Sequence, residues 1–527
     1  MFDTLLRGGT VIDGTGRAAF AADIAIENGT IAAVGQLSHA EARRVVDCTG
    51  MTVTPGFIDI HRHADGAAFR PGFGEWELCQ GLTTIVNGNC GLSAAPFGPD
   101  NDAAIRAYLQ PITGTLPPQL DTRAMAGYFR SLPALPLNVA MLVGAGTLRA
   151  DAAGYQLTEL ADGHFAAIHR QMERSLADGA LGVSLGLGYA PECFYSTGDL
   201  IRALRPVAGT DIPVTVHMRQ EGGGVVDSVR EMIAVARALG CPVHISHLKA
   251  MGRDNWGKKI PQVLSLLEQA QNEGLAVDCD VYPYTAGSTQ LLHILPPDYL
   301  TGGMEAVVER LKDKEVRRQL AARIESGVGF DDIAKLAGWD GIYLTSLHCP
   351  EDHPYQGHNL MEIAALMGQD PLSSCCELLA REHGQITMID FMASEEDICD
   401  ILRSPLSCVI SDATYPTEGQ LHPRVCGNVT HLLEHFAREK GALTWEQAIH
   451  KLTDRPAQVL HLTGKGRLAA GYDADVCVFD PQALHERATY TEPQQTSQGM
   501  THVLVNGTFA IREGEVTGAK PGMIIRR

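Results

Sequence analysis

Alternating apolar and polar positions dominate the first part of the chain. Over residues 1–55, short alternating stretches are separated by the turn pairs Gly8-Gly9, Asp13-Gly14 and Asn28-Gly29. Alternation interrupted by glycine-containing turns is typical of β-hairpins. A layer this small cannot bury a core alone, so it needs a partner from elsewhere in the chain.

The partner is predicted at the opposite end of the sequence. Residues 476–479 and 503–505 are again short apolar runs, and Gly471 and Asn506-Gly507 supply the turns. We therefore expect residues 1–55 and 465–527 to form the two halves of one β-sandwich domain. Two separate disordered arms would fit poorly with this much β-branched alternation.

Between these ends, short apolar runs alternate with helical patterns. The runs typical of strands cover residues 83–86, 139–143, 182–185, 214–217, 243–247, 276–282 and 408–412. Helical periodicity appears at residues 225–239 and 260–273. Strand-helix alternation of this length predicts an α/β fold, a (β/α)8 TIM-like barrel over residues 56–464. An open doubly wound sheet is the alternative.

The alternation stops over residues 287–339. Pro296-Pro297 is followed there by a charged helical pattern at residues 304–325. A segment of this kind after a barrel strand predicts an inserted subdomain, placed where it can act as a lid over the active site.

Composition narrows the partners and the compartment. The 527 residues are 45% hydrophobic and 20% charged, as in a globular protein, with a formal net charge of -20. That charge argues against nucleic acid or an anionic membrane as a partner, and no apolar run reaches membrane-spanning length. Thirteen cysteines without a CxxC pair and an N-terminus unlike a signal peptide predict a reducing compartment, the cytoplasm.

Candidate chemistry begins in the stretch Phe57-Ile58-Asp59-Ile60-His61-Arg62-His63. Strict alternation places His61 and His63 on one face of a strand that is about to end. Two imidazoles can hold one cation there, and the thiolate of Cys90 from a neighbouring strand end could complete or bridge the site. A single His-x-His motif is equally compatible with two ordinary polar residues.

Other predicted strand ends carry compatible side chains. His217, His247 and Asp412 close three of the apolar runs, and Lys249, Tyr282 and Arg424 follow nearby. The carboxyl ends of barrel strands meet on one face, so these groups are expected to converge. Imidazole and thiolate hold zinc, which lowers the pKa of a bound water from 15.7 to about 7, and a carboxylate can then move the proton.

The motifs in combination resemble a known family. Gly56-Phe57-Ile58-Asp59-Ile60-His61-Arg62-His63 and the predicted terminal β-layers are similar to the amidohydrolase superfamily. The resemblance narrows to the N-acyl-D-amino-acid deacylase (D-aminoacylase) family through four further motifs: Gly88-Asn89-Cys90-Gly91, His217-Met218-Arg219, Ser246-His247-Leu248-Lys249 and His422-Pro423-Arg424. It covers nearly the whole chain and implies zinc-dependent hydrolysis of the amide bond of N-acyl-D-amino acids.

The resemblance also implies a role for each site residue. His61 and His63 would line one metal position and His217 and His247 the other, with Cys90 as the shared thiolate. Asp412 would be the catalytic acid/base and could also touch the metal. Lys249, Tyr282, Ser288 and Arg424 would bind substrate, with Arg424 and Tyr282 on the α-carboxylate. One or two zinc ions are compatible with this set, and the preferred D-side chain, the acyl group and the oligomeric state stay open.

Two further observations bear on the site. The chain has no lysine before Lys249, so no carboxylated lysine can precede His217 and bridge two metals, which leaves Cys90 as the available bridge. Relatives often carry histidine where Ala145 stands and a smaller neutral residue where Arg62 stands. Asp65, Tyr189 and Glu221 lie near strand ends, and we expect them to support the site rather than to act in catalysis.

Two other functions are kept open. A related metal hydrolase acting on cyclic amides, such as hydantoins or dihydropyrimidines, or on D- or iso-linked dipeptides would use the same metal chemistry. A catalytically silent scaffold or binding protein could also be built on a barrel, because a fold alone does not guarantee activity.

Overall fold

A computed structural model describes residues 1–527, and its largest sheet joins the two ends of the chain. Strand Thr52–Pro55 pairs antiparallel with Val476–Phe479, and the nine strands share a buried core that includes Leu6, Ile24 and Leu504. The strands of this sheet are Phe2–Val11, Phe20–Glu27, Thr30–Gly35, Ala42–Asp47, Thr52–Pro55, Val476–Phe479, Met500–Val505, Thr508–Arg512 and Glu515–Val516.

The predicted turns Asn28-Gly29 and Gly8-Gly9 have different structures. Asn28-Gly29 is the turn of the hairpin between Phe20–Glu27 and Thr30–Gly35, and both turn residues have positive φ, 51° and 78°. Gly8-Gly9, predicted as a turn, instead lies inside the continuous strand Phe2–Val11, where the register shifts between Leu6 and Gly9. The Gly8 N–H bonds Asp23 Oδ1 at 2.8 Å, so a side chain on the next strand stabilises a bulge.

Parallel strands form the centre of the molecule. They are, in chain order, Phe57–Asp59, Leu82–Asn87, Asn138–Met141, Val143–Gly144, Val183–Gly186, Val214–His217, Val243–Ile245, Val277–Val281 and Ser407–Val409. The first three pair in sequence, and the rest pair in sequence from Val143–Gly144 to Ser407–Val409. Backbone bonds also join the two ends of this series, because the Asp412 N–H reaches the His61 carbonyl at 2.9 Å.

Several of these strands end earlier than the sequence predicts. The runs predicted over 243–247 and 408–412 stop at Ile245 and Val409. His247 and Asp412 have positive φ values of 38° and 51°, a conformation that a strand cannot continue through. Both side chains therefore project from the loops just beyond the strands.

A second unit interrupts the alternation. Strands Ala286–Gln290, Ile342–Ser346 and Thr387–Phe391 form an antiparallel sheet with its own apolar core, which includes Leu291, Leu344 and Met388. The departure from strand-helix alternation thus continues well past residue 339. The helix predicted over 304–325 is two helices, because the Asp313 carboxylate caps the second one at Glu315 and Val316.

Helices connect many of the strands. Their bounds are Glu75–Cys79, Asp102–Thr113, Met125–Ser131, Ala145–Ala153, Asp162–Ala177, Thr197–Ala203, Val225–Leu239, Lys259–Asn272, Met304–Lys312, Lys314–Ser326, Ile333–Ala337, Leu360–Met367, Pro371–Arg381, Glu395–Arg403, Arg424–His431, Trp445–Leu452 and Asp454–Val459, with a π-helix at Leu432–Glu439. None of the helices is both long and apolar enough to cross a membrane.

Candidate metal centre

Four side chains from distant parts of the chain converge at the ends of the parallel strands. The ligand atoms of His61, Cys90, His247 and Asp412 all lie within 4.8 Å of one another. Cys90 Sγ is 3.2 Å from His61 Nε2 and 3.6 Å from His247 Nε2, and His61 Nε2 is 3.4 Å from Asp412 Oδ1. The thiol therefore lies between two imidazoles on neighbouring elements.

A second group shares His247 with the first. His217, Glu221 and His247 also have ligand atoms within 4.8 Å, and His217 Nδ1 is 3.0 Å from His247 Nε2. His63 completes the predicted set, because its Nε2 is 3.2 Å from Asp412 Oδ1. All the histidines, the cysteine and the aspartate predicted from the sequence thus lie in one contiguous cluster.

The backbone of the cluster is strained. Cys90, His247 and Asp412 all have positive φ, between 38° and 52°, a region that non-glycine residues rarely occupy. Gly188 lies against His217, and a Cβ added there would be 2.7 Å from His217 Nε2. Strain of this kind persists where surrounding structure enforces it, and it concentrates at functional sites.

Two buried carboxylates, Glu221 and Asp280, lie on the side of the imidazoles away from the cluster. Glu221 Oε1 is 2.9 Å from His247 Nδ1 and accepts a 2.7 Å bond from Lys249. Asp280 accepts the backbone N–H of His247 and lies 3.9 Å from His61 Nδ1. A carboxylate on the second ring nitrogen fixes the orientation of a metal-binding imidazole. Glu221 was expected to give such support. Asp280 was not predicted, although its position one residue before the strand end at Val281 was a signal for it.

Asp65 and Tyr189 also support the site rather than complete the cluster. The Asp65 carboxylate accepts backbone N–H bonds from Gly88 at 3.4 Å and Ala94 at 3.1 Å, which fixes the loop carrying Cys90. The Tyr189 hydroxyl is 2.9 Å from Thr289 Oγ1, and its ring lies 4.4 Å from the ring of His217.

The electrostatics favour an ionised thiol and carboxylate. Burial opposes ionisation of Cys90, but the adjacent imidazoles of His61, His217 and His247 hold the pKa of its thiol well below the usual value. Burial likewise opposes ionisation of Asp412, but Arg424, His61 and His63 hold the pKa of its carboxyl well below the usual range. An anionic sulfur and an anionic oxygen therefore face the same small space.

The residues predicted to bind substrate adjoin the cluster. Arg424 Nη2 is 3.1 Å from Asp412 Oδ2 and bonds the Ser288 carbonyl at 3.1 Å. Its guanidinium carbon lies 4.7 Å from the Tyr282 ring centre, and Lys249 Nζ lies 5.8 Å from the same ring. Arg424 is fully buried, yet its Nε and Nη1 have no hydrogen-bond partner in the protein.

Arg62 and Ala145 lie outside the cluster. Arg62 is fully buried and bonds Glu77 at 3.0 Å and Asp59 at 3.2 Å, so its charge is neutralised away from the imidazoles. Ala145 begins helix Ala145–Ala153 and does not line the cavities beside the cluster.

The donor set fits zinc. Imidazole nitrogens, a thiolate and a carboxylate are the ligands that zinc takes in proteins. Here the imidazoles and the thiol are buried, the Asp412 carboxylate is partly exposed, and one ion can reach His61, Cys90, His247 and Asp412 together. His61, His63, His217, His247, Cys90 and Asp412 are the residues that can hold it.

Comparisons with known proteins agree with this chemistry. The model of the amidohydrolase family matches residues 44–511. D-aminoacylase of Alcaligenes xylosoxydans xylosoxydans is 34% identical, over 100% of this chain and 98% of its own. N-acyl-D-glutamate deacylase of the same organism is 36% identical, over 100% of this chain and 96% of its own.

Solved structures extend the likeness to three dimensions. N-acyl-D-glutamate deacylase from Bordetella bronchiseptica, in complex with zinc and a phosphonate mimic of the tetrahedral intermediate, has a TM-score of 0.82 at 32% identity. A D-aminoacylase structure has a TM-score of 0.82 at 31% identity, and both comparisons cover 100% of each chain. The predicted family is confirmed: the chain belongs to the amidohydrolase family and, within it, to the D-aminoacylase (N-acyl-D-amino-acid deacylase) group.

Proposed function

We propose that this protein hydrolyses the amide bond of N-acyl-D-amino acids in a zinc-dependent reaction, giving a carboxylate and the free D-amino acid. Relatives that match along nearly their whole length are named for this chemistry, on D-amino acids in general, D-glutamate and D-aspartate. The observation that carries the proposal is Arg424 beside the cluster, a buried guanidinium whose Nε and Nη1 have no hydrogen-bond partner in the protein. A buried cationic donor without a protein partner favours a carboxylate as its ligand.

We also propose the architecture in which this site is built. The parallel strands from Phe57–Asp59 to Ser407–Val409, bonded to each other at both ends of the series, would form one barrel over residues 56–464. The terminal segments 1–55 and 465–527 would form the separate β-domain. The antiparallel unit that starts at residue 286 would be the lid.

The residues of the cluster are assigned to two metal positions. His61 and His63 would hold one position, His217 and His247 the other, and Cys90 would bridge them. The site accommodates one or two ions. Zinc bound here would polarise the acyl carbonyl and lower the pKa of a bound water. Glu221 keeps the imidazole of His247 in orientation, and Asp280 fixes the backbone of His247.

Asp412 is assigned the proton transfer. Its Oδ1 lies 3.2 Å from His63 Nε2, and Arg424 lies against Oδ2, so the carboxylate is fixed and ionised. In that state it accepts a proton from the attacking water and then donates it to the leaving nitrogen.

Arg424, Tyr282, Lys249 and Ser288 are assigned to substrate. Arg424 and Tyr282 would bind the α-carboxylate, and burial raises the pKa of Tyr282 to about 12, so its phenol donates a hydrogen bond at neutral pH. Lys249 stays charged, because burial, which lowers its pKa, is outweighed by Glu221, which holds that pKa above the usual value. Its ammonium can meet the acyl oxygen or a carboxylate.

Replacing Asp412 tests the assignment. We expect Asp412→Asn to lower kcat about 10²- to 10⁴-fold, the usual contribution of general acid-base catalysis, while at least one zinc per chain stays bound. Asp397→Asn, also buried but on helix Glu395–Arg403 away from the cluster, is the matched control and should keep wild-type turnover. Near-normal turnover of the zinc-loaded Asp412→Asn protein would refute the mechanism.

The cyclic-amide alternative has weaker support. The hydantoinase structures are similar at only 15–18% identity, with TM-scores of 0.52–0.58, which shows the fold alone. A neutral ring would also leave the Nε and Nη1 donors of Arg424 without an anionic partner.

A further inference from the structure

A second cavity lies next to the metal cluster and is not used by the proposed mechanism. It has a volume of 410 Å³ and lies between helix Asp102–Thr113 and the inserted unit. Ala107 and Pro111 line it from the helix, and Leu292, Leu300 and Met304 line it from the insertion. We name it the apolar chamber. Its volume and lining are typical of a small-molecule site.

The apolar chamber adjoins the active site. Tyr108 and Gln290 line it, and the same two residues line the small cavity that contains His63, Cys90 and Asp412. The partition between them is a side chain, because the Gln290 amide donates a 2.7 Å hydrogen bond to the Tyr108 carbonyl. An acyl chain would enter the chamber by displacing the Gln290 side chain.

The direction of the chamber identifies which part of the substrate it faces. Lys249 and Tyr282 line a different cavity, which shares Ser288 and Asp412 with the one leading to the chamber. The amino acid carboxylate is assigned to Tyr282 and Arg424. The scissile bond lies at Asp412, so the group on the other side of that bond, the acyl chain, extends past Gln290 towards the chamber.

The charges of the chamber agree with an alkyl occupant. Glu305 and His383 are the residues among its lining that can carry charge at neutral pH, and no lysine or arginine lines it. A carboxylate there would have no lysine or arginine partner and would face Glu305, which disfavours the acidic side chains of D-glutamate or D-aspartate as occupants. Burying methylene groups against Leu292, Leu300 and Met304 is favourable.

We propose that the apolar chamber binds the alkyl chain of the acyl group, so that the preferred substrates are N-acyl-D-amino acids with medium-chain fatty acyl groups. The proposal rests on the proposed deacylase function and specifies its acyl side.

The test is a series of N-acyl-D-methionines carrying acetyl, butanoyl, octanoyl and dodecanoyl groups, assayed with the zinc-loaded protein below their micelle concentrations. Each fully buried methylene can raise kcat/KM by up to about fourfold. We expect kcat/KM to rise at least about tenfold from acetyl to octanoyl, which requires burial of only part of the chain. N-octanoyl-L-methionine should not be hydrolysed, which excludes nonspecific capture of alkyl chains.

A large side chain placed in the chamber should remove the increase in kcat/KM from acetyl to octanoyl substrate. Ala107→Trp places an indole in the chamber, and we expect the ratio of kcat/KM for octanoyl over acetyl substrate to fall about tenfold or more. Ala166→Trp, on the exposed face of helix Asp162–Ala177, is the matched control and should leave the ratio unchanged. Inhibition of the wild-type protein by octanoate and acetate needs no variant, and octanoate should bind more tightly.

The outcomes separate this proposal from the function on which it rests. Hydrolysis of the acetyl substrate with no gain at octanoyl, and equal inhibition by both carboxylates, would overturn the chamber proposal and leave the deacylase function. An octanoyl preference that Ala107→Trp does not change would overturn the location. No hydrolysis of any D-substrate would overturn both.

Discussion

Cys90 is the residue on which the arrangement of the cluster depends most. Its sulfur lies within 3.6 Å of imidazole nitrogens from two different strand ends, and its backbone has a φ of 52°. The sequence could predict it together with the histidines, because the carboxyl ends of parallel strands meet on one face. Asp280 also lies near a strand end, but its contact with the backbone N–H of His247 follows from the fold and not from a sequence pattern.

We expect Cys90→Ser to reduce bound zinc to below one ion per chain and to lower turnover at least about a hundredfold, because a hydroxyl is not ionised at neutral pH and is a poor zinc ligand. The measurement is metal content by plasma emission after gel filtration. Cys279→Ser, at a buried cysteine within strand Val277–Val281, is the control and should retain its zinc. Full zinc occupancy in Cys90→Ser would contradict the assigned bridge.

Glu192 should give the protein a pH-dependent stability. Burial raises the pKa of Glu192 to about 8, although the Gly186 N–H, 2.9 Å away, favours the ionised form. The folded chain then holds a proton that the unfolded chain releases above about pH 4.5. This contribution is present at low pH and is lost as the pH rises through 8. Glu192→Gln should therefore show a smaller fall in the free energy of unfolding between about pH 5 and 8 than wild type in urea titrations. Parallel curves would refute it.

At the scale of elements, the types of element were more predictable than their ends and partners. The helix at Val225–Leu239 and the strand at Val214–His217 have the predicted bounds. In both segments the spacing of apolar residues indicates the type of element. The strand ends at Ile245 and Val409 follow from left-handed residues that no periodicity reveals. The strands at 342–346 and 387–391 were missed, since a short antiparallel strand in an insertion has no regular spacing.

The insertion and the site are joined through Asp331. Its carboxylate accepts the backbone N–H of Glu221 at 2.5 Å and of Gly222 at 3.1 Å, and burial raises its pKa to about 6. Asp331 thereby fixes the loop whose Glu221 holds His247 and Lys249.

We expect Asp331→Ala to lower kcat about tenfold to a hundredfold, the value of one or two charged hydrogen bonds, with zinc content unchanged. Asp331→Asn, which keeps one acceptor oxygen, should recover part of the loss. Asp332→Ala removes only the cap of helix Ile333–Ala337 and should behave as wild type. Wild-type kcat in Asp331→Ala would show that the loop does not need this contact.

At the scale of the whole molecule, the central strands bring distant residues together in one cluster, and the two chain termini pair in a separate sheet. Residues from 61 to 424 contribute to it, and the match with D-aminoacylases extends over the full chain. The family and its chemistry could be predicted from the sequence because the motifs recur at strand ends. The pairing of the termini could be expected from the alternating apolar pattern at both ends of the chain. The apolar chamber could not, because it lies between a helix and an insertion that no sequence pattern relates.

The most direct test of zinc-dependent D-deacylation is release of free amine from N-acetyl-D- and N-acetyl-L-forms of methionine, leucine, glutamate and aspartate, with added zinc and with chelator. We expect release from the D-forms alone, abolished by chelator and restored by zinc. Release from L-forms at equal rates, or release that chelator does not affect, would contradict it.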